Sequence, residues 1–553
     1  MVRFSNLYRN DIYESLTNEK LDVLVIGGGI TGSGIALDAA SRGLKTGLVE
    51  MQDFAFGTSS RSTKLVHGGL RYLQQMEVQM VAEVGKERAV VYENGPHVTK
   101  PEWMMLPFYK KGNFGPLSAN VGLRFYDFLA QVKKTERRMM LSKKEALKKE
   151  PLLKSEHLKG AGYYVEYKTD DARLTIEVLK KAIEFGAQAL NYCKVTEFIY
   201  NEQNKVVGAT VEDQIGGQQH QLFAEKIINA AGPWVDELRE MDGSKQGKTL
   251  YLTKGVHLVF DQSTFPLKQA IYFDNEDGRM IFAIPRDGKT YVGTTDTPYD
   301  GDIAHPTITN DDRDYILQAI HYMFPTLSIT KDDVESSWAG LRPLIGDEGK
   351  DPDEISRKDE IFVSDSGLLS IAGGKLTGYR KMAESVIDLV TKQLKNEVGI
   401  LYSKSETKQI PISGGEVGGS KGFSRFKQQQ MNHAKALGIH LSQAEILISR
   451  YGANVEKVFE KYESLTNEAL QAGIDPIVFA ELRYAIDEEC VYKPVDFFIR
   501  RTSALFFDIA WVEKYRKPVS NYMGEVLHWT QEEMGYYARE LQQMLDVATI
   551  RED

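Results

Sequence analysis

The stretch VIGGGITG at residues 25–32 has the glycine spacing of a loop that binds the pyrophosphate of a dinucleotide. Its glycines are Gly27, Gly28, Gly29 and Gly32. The G-x-G-x-x-G spacing allows a tight turn, a close approach of the backbone to the phosphates and close packing of a helix against a strand. A helix that begins near Thr31 offers backbone N–H groups and the positive end of its dipole to the phosphates. The loop therefore predicts a dinucleotide site.

The residues on either side of this loop follow the pattern of a β-α-β unit. Residues 21–26 are mostly apolar and β-branched, which predicts a buried strand before the loop. A second strand over 45–49 ends in Glu50, and an acidic residue at this point is the expected ligand of a ribose 2′-hydroxyl. Glu50 therefore argues against a cofactor with a 2′-phosphate. The glycine spacing alone leaves NAD and FAD open.

Polar side chains in four later segments could bind an anionic substrate and accept a proton. They are His67, Arg71 and Tyr72 in HGGLRYL, Lys254 and His257 in KGVHLV, Arg342 in AGLRPLIG, and Lys375, Thr377 and Arg380 in AGGKLTGYRKMA. Arginine forks match phosphate oxygens with two parallel hydrogen bonds, and neighbouring glycines let the backbone come close. We expect functional roles for Arg71 and Arg342, and a surface or ion-pair role for Arg380. For Lys254, His67 and His257, the sequence allows either a functional or a structural role.

Composition excludes several classes of function. The net charge of −10 over 553 residues gives no basic surface for nucleic acid, so no nucleic-acid partner is expected. Cys193 and Cys490 belong to no metal-ligand cluster and are interpreted as buried free thiols in a reducing compartment. No metal site is expected, because the histidines lack a ligand spacing such as H-x-x-x-H. Residues 1–20 lack the apolar core of a signal peptide, and no stretch is long and apolar enough to span a bilayer.

Three separated segments look like parts of one α/β sheet. They are residues 21–70, EKIINAAG at 225–232, which ends in Gly232, and LLSIAGG at 368–374. An NAD domain is usually one continuous block, whereas flavoproteins often return the chain to the cofactor late, so that a second helix N-terminus meets the flavin. A dinucleotide domain that is completed only at 368–374 therefore favours FAD.

The segments between these strands predict a second domain, and the C-terminal part predicts a third. RMIFAIPRDGKTYVGTTD holds two apolar runs around Asp287-Gly288, which indicates a β-hairpin within an antiparallel sheet. After the glycine-rich segment GGEVGGSKG, the pattern is helical from about residue 424 to the end. Capping boxes are predicted at Ser442-x-x-Glu445 and Thr530-x-x-Glu533.

Over essentially its whole length, the chain resembles the bacterial FAD-dependent, respiratory glycerol-3-phosphate dehydrogenases. These belong to the D-amino-acid-oxidase-like flavoprotein superfamily. Two long motifs carry the resemblance, IGGGITGSGIALDAASRG at 26–43 and GGKLTGYRKMA at 373–383. The motifs SSRSTKLVHGGLRYL at 59–73, GLRPL at 340–344 and FFIRRTSALFFD at 497–508 agree with the same family.

The resemblance implies three domains. It implies a discontinuous α/β FAD-binding Rossmann-type domain of the glutathione-reductase and D-amino-acid-oxidase type, an α+β substrate domain with an antiparallel sheet, and an all-α C-terminal domain. The expected bounds are 1–74, 160–240 and 355–400 for the FAD domain, 75–159 and 241–354 for the substrate domain, and 401–553 for the helical domain.

The resemblance also implies roles for individual residues. Expected around FAD are Gly27, Gly28, Gly29, Thr31, Gly32, Glu50, Ser59, Ser60, Gly232, Gly374 and Thr377. Expected around the substrate are Arg71, Tyr72, His257, Arg342 and Lys375, with Arg71 and Lys375 as the leading phosphate anchors. Arg342 is expected to stabilise the developing alkoxide. His257 is expected to be the base, with His67 as the alternative, because proton acceptance needs a group that titrates near neutrality.

The implied reaction is the oxidation of glycerol 3-phosphate to dihydroxyacetone phosphate, with hydride transfer to FAD and electron transfer to a membrane quinone. Family members that use oxygen carry an insertion in the middle of the chain, and the present spacing has no evident room for it. An oxygen-using glycerol-3-phosphate oxidase, a related flavin amine oxidase and a non-catalytic flavoprotein that reports redox state to a partner remain as alternatives. A homodimer is also left open.

A quinone acceptor requires contact with a membrane. The expected location is the cytoplasm, with peripheral binding to the inner face of the cell membrane. The densest basic segment, KKTERRMMLSKKEALKK at 133–149, could offset the negative net charge at an anionic leaflet. The alternative for this segment is a solvated amphipathic helix.

Overall fold

The computed structural model describes most of the chain. The described residues are 4–68, 78–110, 123–124, 136–347 and 359–549. Their strands are β1 (Leu21–Ile26), β2 (Thr46–Val49), β3 (Leu65–Val66), β4 (Thr99–Tyr109), β5 (Met139–Ser142), β6 (Leu158–Thr169), β7 (Gln188–Leu190), β8 (Cys193–Tyr200), β9 (Val206–Asp213), β10 (Gln219–Asn229), β11 (Lys248–Asp261), β12 (Ala270–Asp274), β13 (Met280–Arg286), β14 (Lys289–Gly293), β15 (Thr297–Pro298), β16 (Val334–Asp347), β17 (Glu360–Val363) and β18 (Leu369–Ala372).

Helices surround these strands and make up the C-terminal part. The α-helices in the described residues are α1 (Arg9–Asn18), α2 (Ile30–Ser41), α3 (Val78–Asn94), α4 (Lys143–Lys149), α5 (Asp171–Glu184), α6 (Val235–Met241), α7 (Asn310–Met323), α8 (Tyr379–Val398), α9 (Gly419–Ala436), α10 (Leu441–Tyr451), α11 (Val455–Gln471), α12 (Pro476–Glu488), α13 (Ala504–Phe507), α14 (Ile509–Val526) and α15 (Gln531–Thr549). A π-helical segment spans Asp496–Arg501. Short 3-10 turns at Thr58–Ser60, Gly232–Trp234 and Leu376–Gly378 lie near the ends of sheet strands.

The first sheet has the order β17-β18-β10-β1-β2-β7 and is parallel from β18 to β7. The central strand β1 is buried on both faces, as a run of apolar residues predicts for a parallel sheet. Helices α2, α5 and α8 cover one face, where Val25, Ile35 and Val386 share a core. Helix α1 and the antiparallel strands β8 and β9 cover the other face.

The second sheet is mostly antiparallel and has the order β15-β11-β14-β13-β12-β4-β6-β3. Strand β16 pairs with β11 along its length, and β5 pairs with β6. One face packs on α7 through Ile316, Ile320 and Met323. The hairpin predicted at Asp287-Gly288 is confirmed, because β13 and β14 pair up to Arg286 and Lys289 on either side of it.

The C-terminal helices α11 to α15 pack against the second sheet through a large apolar cluster, whereas α9 and α10 pack on α11 and α12 in a separate cluster. Phe497 and Phe498 in the π-helical segment are completely buried in this cluster. The architecture therefore has the expected layers, with a mostly parallel sheet covered by helices, a mostly antiparallel sheet and a helical C-terminal part.

Two details differ from the sequence-based expectations. The expected FAD domain includes residues 1–74, which contain β3, and residues 160–240, which contain most of β6. In the structure β6 pairs with β4 and β3 pairs with β6, so both strands belong to the second sheet. The division into three domains stays a proposal, with these two strands moved to the substrate side. The segment 133–149 is not one amphipathic helix: from residue 136 it forms β5 and the seven-residue helix α4, because β5 finds hydrogen-bond partners on β6.

Candidate active site

A large cavity lies where the two sheets meet and encloses about 640 Å³. Most of the residues expected around a cofactor and a substrate line it. They are Gly27, Gly29, Thr31, Glu50, Ser59, His67, Gly232, His257, Arg342, Gly374, Lys375 and Thr377. The volume lies in the range of ligand and cofactor pockets. The sequence motifs, which are far apart in the chain, therefore meet at one site.

The glycine loop is shaped by two contacts that leave no room for a side chain. Gly27 has φ +113°, and a Cβ there would lie 2.5 Å from the carbonyl oxygen of Ala230 on the neighbouring strand. A Cβ on Gly32 would lie 1.9 Å from the carbonyl oxygen of Gly27. The loop can therefore turn directly from β1 into α2, with Gly29 as the N-cap residue at the cavity wall.

Two of the expected cofactor residues, Gly28 and Ser60, lie behind the cavity wall. Gly28 backs onto Phe54 and Glu50. Ser60 is almost fully buried, and its hydroxyl donates to the carbonyl of Phe56. The neighbouring Ser59 does line the cavity, and its Oγ accepts a hydrogen bond of 2.9 Å from Ile30 N in the first turn of α2.

Glu50 lies directly after β2 and is held by the loop it faces. Oε2 accepts a hydrogen bond of 2.7 Å from Gly28 N, and Oε1 accepts one of 2.9 Å from Gln52 N. Burial raises the pKa of Glu50, and the two backbone donors oppose that effect. Each carboxylate oxygen can accept a further hydrogen bond. The glycine turn, the helix N-terminus and this acceptor fit the pyrophosphate and ribose of FAD.

The late return of the chain closes the other side of the cavity. Strand β18 pairs parallel to β10, and the turn Leu376–Gly378 then leads into α8. Thr377 is buried, and its Oγ1 donates to His67 O over 3.1 Å and accepts from His67 N over 3.2 Å. This contact places the chain after β18 beside His67 at the cavity. The late return of the chain to the cavity is what the FAD interpretation predicts.

His257 lies on β11 and is held in a fixed orientation. Its ring stacks on Trp338 with a centroid distance of 4.6 Å, and Nε2 lies 3.1 Å from Oγ1 of Thr63. Burial, with Arg342 and Lys64 nearby, holds the pKa of His257 well below its usual value. The expectation of a base that titrates near neutrality is therefore wrong for the free protein, because burial and two cations disfavour the imidazolium.

His67, the alternative base, is similarly perturbed. Its ring packs edge-on against Phe282 at 6.0 Å. Burial, with Lys375 and Arg88 nearby, lowers the pKa of His67 to about 3. The lowered pKa values favour the neutral imidazole of both histidines in the free protein, and this is the form that can accept a proton.

Arg342 lies on β16 at the cavity wall and is fixed by three hydrogen bonds. Nη1 donates to Asp296 Oδ1 over 3.0 Å and to the Thr295 carbonyl over 3.2 Å. Nη2 donates to Thr294 Oγ1 over 2.9 Å. The side chain is 34% exposed, so it is oriented by the protein and still faces the cavity.

The remaining cations divide into cavity residues and structural residues. Lys375 lines the cavity, while Arg71 and Tyr72 lie outside the described residues. Arg380 forms the expected ion pair, with both guanidinium Nε and Nη2 donating to Glu87. Lys254 turns toward Asp312 at 2.6 Å, and both side chains are buried, so its role is structural.

Among the charged cavity residues that were not singled out from the sequence, Arg61 and Glu166 are the buried ones. Arg61 is buried, and its pKa is lowered to about 10, chiefly by burial and also by Arg500. Glu166 on β6 accepts hydrogen bonds from Gly68 N at 3.2 Å and from Arg88 Nη1 at 2.7 Å. Arg61 lies inside the motif at 59–73 and could have been found there, whereas Glu166 follows no sequence signal.

Comparisons with known proteins agree with this site. The FAD dependent oxidoreductase family matches residues 22–380, and the C-terminal domain of alpha-glycerophosphate oxidase matches residues 405–534. An aerobic glycerol-3-phosphate dehydrogenase from Bacillus subtilis is 59% identical over 548 residues, which is 99% of each chain. One from Staphylococcus haemolyticus is 55% identical over 549 residues, 99% of this chain and 98% of the other.

A similar solved structure is the glycerol-3-phosphate dehydrogenase from Bacillus halodurans complexed with FAD. Its TM-score is 0.86 at 50% identity, covering 99% of this chain and 98% of that one. The L-alpha-glycerophosphate oxidase from Mycoplasma pneumoniae is 19% identical with a TM-score of 0.56, which shows a shared fold only.

Proposed function

The chain belongs to the family of FAD-dependent glycerol-3-phosphate dehydrogenases, and from this premise we propose that it oxidises sn-glycerol 3-phosphate to dihydroxyacetone phosphate and passes the electrons to a membrane quinone. The observation that carries the proposal is the shared cavity. One continuous wall joins the glycine loop to Arg342, His257 and Lys375. FAD bound there supplies the acceptor for the hydrogen and the two electrons that leave carbon 2.

The phosphate of the substrate needs cations at one end of the cavity. Among the described residues, Lys375 is the candidate to bind the phosphate, and Arg71 is a second candidate from its sequence motif. Lys375 lies at the start of the turn that leads into α8, beside the cofactor wall. Anchoring the phosphate there fixes the distance between carbon 2 and the flavin, so that binding energy orients the reacting carbon.

Arg342 stabilises the negative charge that develops on the carbon-2 oxygen. Its guanidinium is held by Asp296 and by two other oxygens, so it needs no reorientation when charge develops. Donors that are fixed in advance give the largest electrostatic contribution to catalysis. The charge of Arg342 also disfavours the imidazolium of His257, which places the two groups within electrostatic reach.

His257 accepts the proton of the carbon-2 hydroxyl. It is neutral in the free protein, and the stack on Trp338 together with Thr63 fixes its orientation. The negative charge that the substrate brings into the cavity opposes the field of Arg342 and raises the pKa of His257 toward the range that proton acceptance needs. His67 is the alternative base, but Lys375 and Arg88 hold its pKa down.

The acceptor and the location of the enzyme form the second part of the proposal. Within the described residues, no helix combines the length and apolar character needed to cross a bilayer. We propose peripheral binding to the inner face of the membrane, where a quinone is reached from the surface. Met139 is 44% exposed between Arg137 and Lys143, which supports a membrane contact at 136–149. A homodimer stays part of the proposal.

One observation favours a second candidate, an oxygen-using oxidase. The family that matches residues 405–534 takes its description from alpha-glycerophosphate oxidase. The choice is tested by turnover with glycerol 3-phosphate in air, with and without a soluble quinone analogue, while hydrogen peroxide is measured. The proposal expects quinone-dependent turnover with little peroxide. One peroxide per substrate oxidised, with no effect of the quinone, would replace it with the oxidase.

A further inference from the structure

The C-terminal helical region lines none of the cavity within the described residues, because the last wall residue is Thr377. It nevertheless contacts the cofactor loop through buried charges. Arg500 Nε lies 2.5 Å from Asp53 Oδ2. Arg501 reaches the same carboxylate with both terminal nitrogens, Nη1 at 2.8 Å and Nη2 at 3.0 Å. All three side chains are 2% exposed or less.

Asp53 belongs to the loop 50–63, which contributes many of the residues of the cavity wall. The wall residues of this loop are Glu50, Met51, Phe56, Gly57, Thr58, Ser59, Arg61, Ser62 and Thr63. Arg500 also contacts the loop at a second point. The ring of Phe56 lies 5.3 Å from the guanidinium carbon of Arg500 and 4.9 Å from that of Arg61. The C-terminal region therefore holds this loop at two places.

The buried charges make this attachment hard to open. Burial alone would raise the pKa of Asp53, but Arg501 and Arg500 outweigh it and lower that pKa to about 2. Arg500 also donates to Asp496 over 2.5 Å, and Arg501 donates to the Glu489 carbonyl over 2.7 Å. Separating the loop from the C-terminal region would leave charges buried without partners, which is strongly unfavourable.

We propose that the C-terminal helical region completes the FAD site from outside, with Arg500 and Arg501 as positioning residues that hold the loop 50–63 in its cofactor-binding conformation. FAD binding and docking of the π-helical segment Asp496–Arg501 are then coupled. The coupling is reciprocal, so that each event strengthens the other by the same factor. This assigns a function to the motif FFIRRTSALFFD, which the reaction itself does not use.

The first test measures FAD affinity in variants of the full chain. Apoprotein of the wild type, Arg500→Gln and Arg500→Lys is titrated with FAD, and flavin fluorescence gives Kd. We expect Arg500→Gln to raise Kd at least about tenfold, equivalent to about 1.4 kcal/mol. Arg500→Lys keeps the charge and restores part of the affinity. An unchanged Kd in Arg500→Gln contradicts the proposal.

The matched control is Arg483→Gln in the same helical region. Arg483 contacts Asp487 and Tyr522, which both lie within that region. Its loss leaves the contacts of the loop 50–63 in place, so Kd should stay within about twofold, a change of less than about 0.5 kcal/mol. An equal rise in Kd for both variants would show a general stability effect and would overturn the proposal.

The second test uses only wild-type protein and therefore needs no variant to fold. Hydrogen–deuterium exchange is compared between apoprotein and FAD-loaded protein. The coupling predicts slower exchange in 496–507 on FAD binding, although no residue of that segment lines the cavity. Exchange in 496–507 that does not respond to FAD contradicts the proposal. No substrate is added in either test, so the outcome does not depend on the reaction proposed above.

Discussion

Replacing Arg342 with alanine should lower turnover strongly and leave FAD binding intact. Arg342 lies on β16, and its guanidinium donates hydrogen bonds to residues 294–296. None of these contacts holds the cofactor loop. The guanidinium acts on charge that exists only during the reaction, so its loss appears in kcat rather than in FAD content.

The size of the effect follows from the surroundings of Arg342. Removing one fixed donor from a developing oxyanion typically costs about 2.7–4 kcal/mol, or about 100- to 1000-fold in kcat. Arg342 is 34% exposed and shares its charge with Asp296 at 3.0 Å, so solvent and the carboxylate weaken its field. We therefore expect the lower end of that range, about 100-fold. Arg342→Lys keeps the positive charge but loses the forked guanidinium, so its kcat should lie between those of the wild type and Arg342→Ala.

The assay is steady-state oxidation of glycerol 3-phosphate with a soluble electron acceptor, together with the FAD content per chain from absorbance. Glu50→Ala serves as the opposite control. It removes the acceptor that we propose for the ribose, so FAD affinity should fall while the fraction that stays loaded turns over almost normally. Normal turnover of Arg342→Ala, with a loss only in FAD content, would refute the assigned role.

Three further predictions concern the glycine loop, His257 and the membrane. Gly32→Ala should prevent FAD loading, because its Cβ would lie 1.9 Å from a backbone oxygen. The control Gly378→Ala should load FAD normally, because its Cβ would meet nothing within 4 Å. Equal FAD loading of both variants would contradict the loop geometry. In free protein with labelled histidines, NMR should show His257 still neutral at the pH where an ordinary histidine, with a pKa of about 6.5, becomes charged. The unfolded chain binds that proton near pH 6.5 and the folded protein does not, so His257 lowers stability as the pH falls below about 6.5; a titration near neutrality would refute this. Anionic liposomes should carry the protein upward in a flotation gradient at low salt, and Arg137→Glu with Arg138→Glu should weaken flotation if 136–149 is the contact; wild-type protein that stays at the bottom rules out peripheral binding.

Features fixed by neighbouring residues could be predicted from the sequence. The strand, glycine turn and helix at 21–41 depend on local conformation, and so does the hairpin at Asp287-Gly288. The capping box at Thr530 is confirmed, because its Oγ1 accepts from Glu533 N and the Glu533 carboxylate accepts from Thr530 N. At Ser442 the prediction is wrong: α10 begins at Leu441, and the ring of His440 caps it instead.

Features that depend on distant residues could not be predicted. The sheet to which β6 belongs is decided by pairing with β4, and a pattern of alternating burial does not name a partner strand. The site motifs were recognisable one by one, yet the lowered pKa of His257 arises from burial and from Arg342 and Lys64, which only the fold brings together. The contact between Asp53 and Arg500 likewise joins opposite ends of the chain.

The most direct measurement is anaerobic addition of glycerol 3-phosphate to the FAD-loaded protein, followed by absorbance at the flavin band. The account predicts rapid bleaching of the oxidised flavin with one dihydroxyacetone phosphate formed per FAD. Glycerol should leave the flavin oxidised, since it lacks the phosphate that Lys375 and Arg71 are proposed to hold. Flavin that stays oxidised with glycerol 3-phosphate, or that bleaches instead with an amino acid, would contradict the central claim.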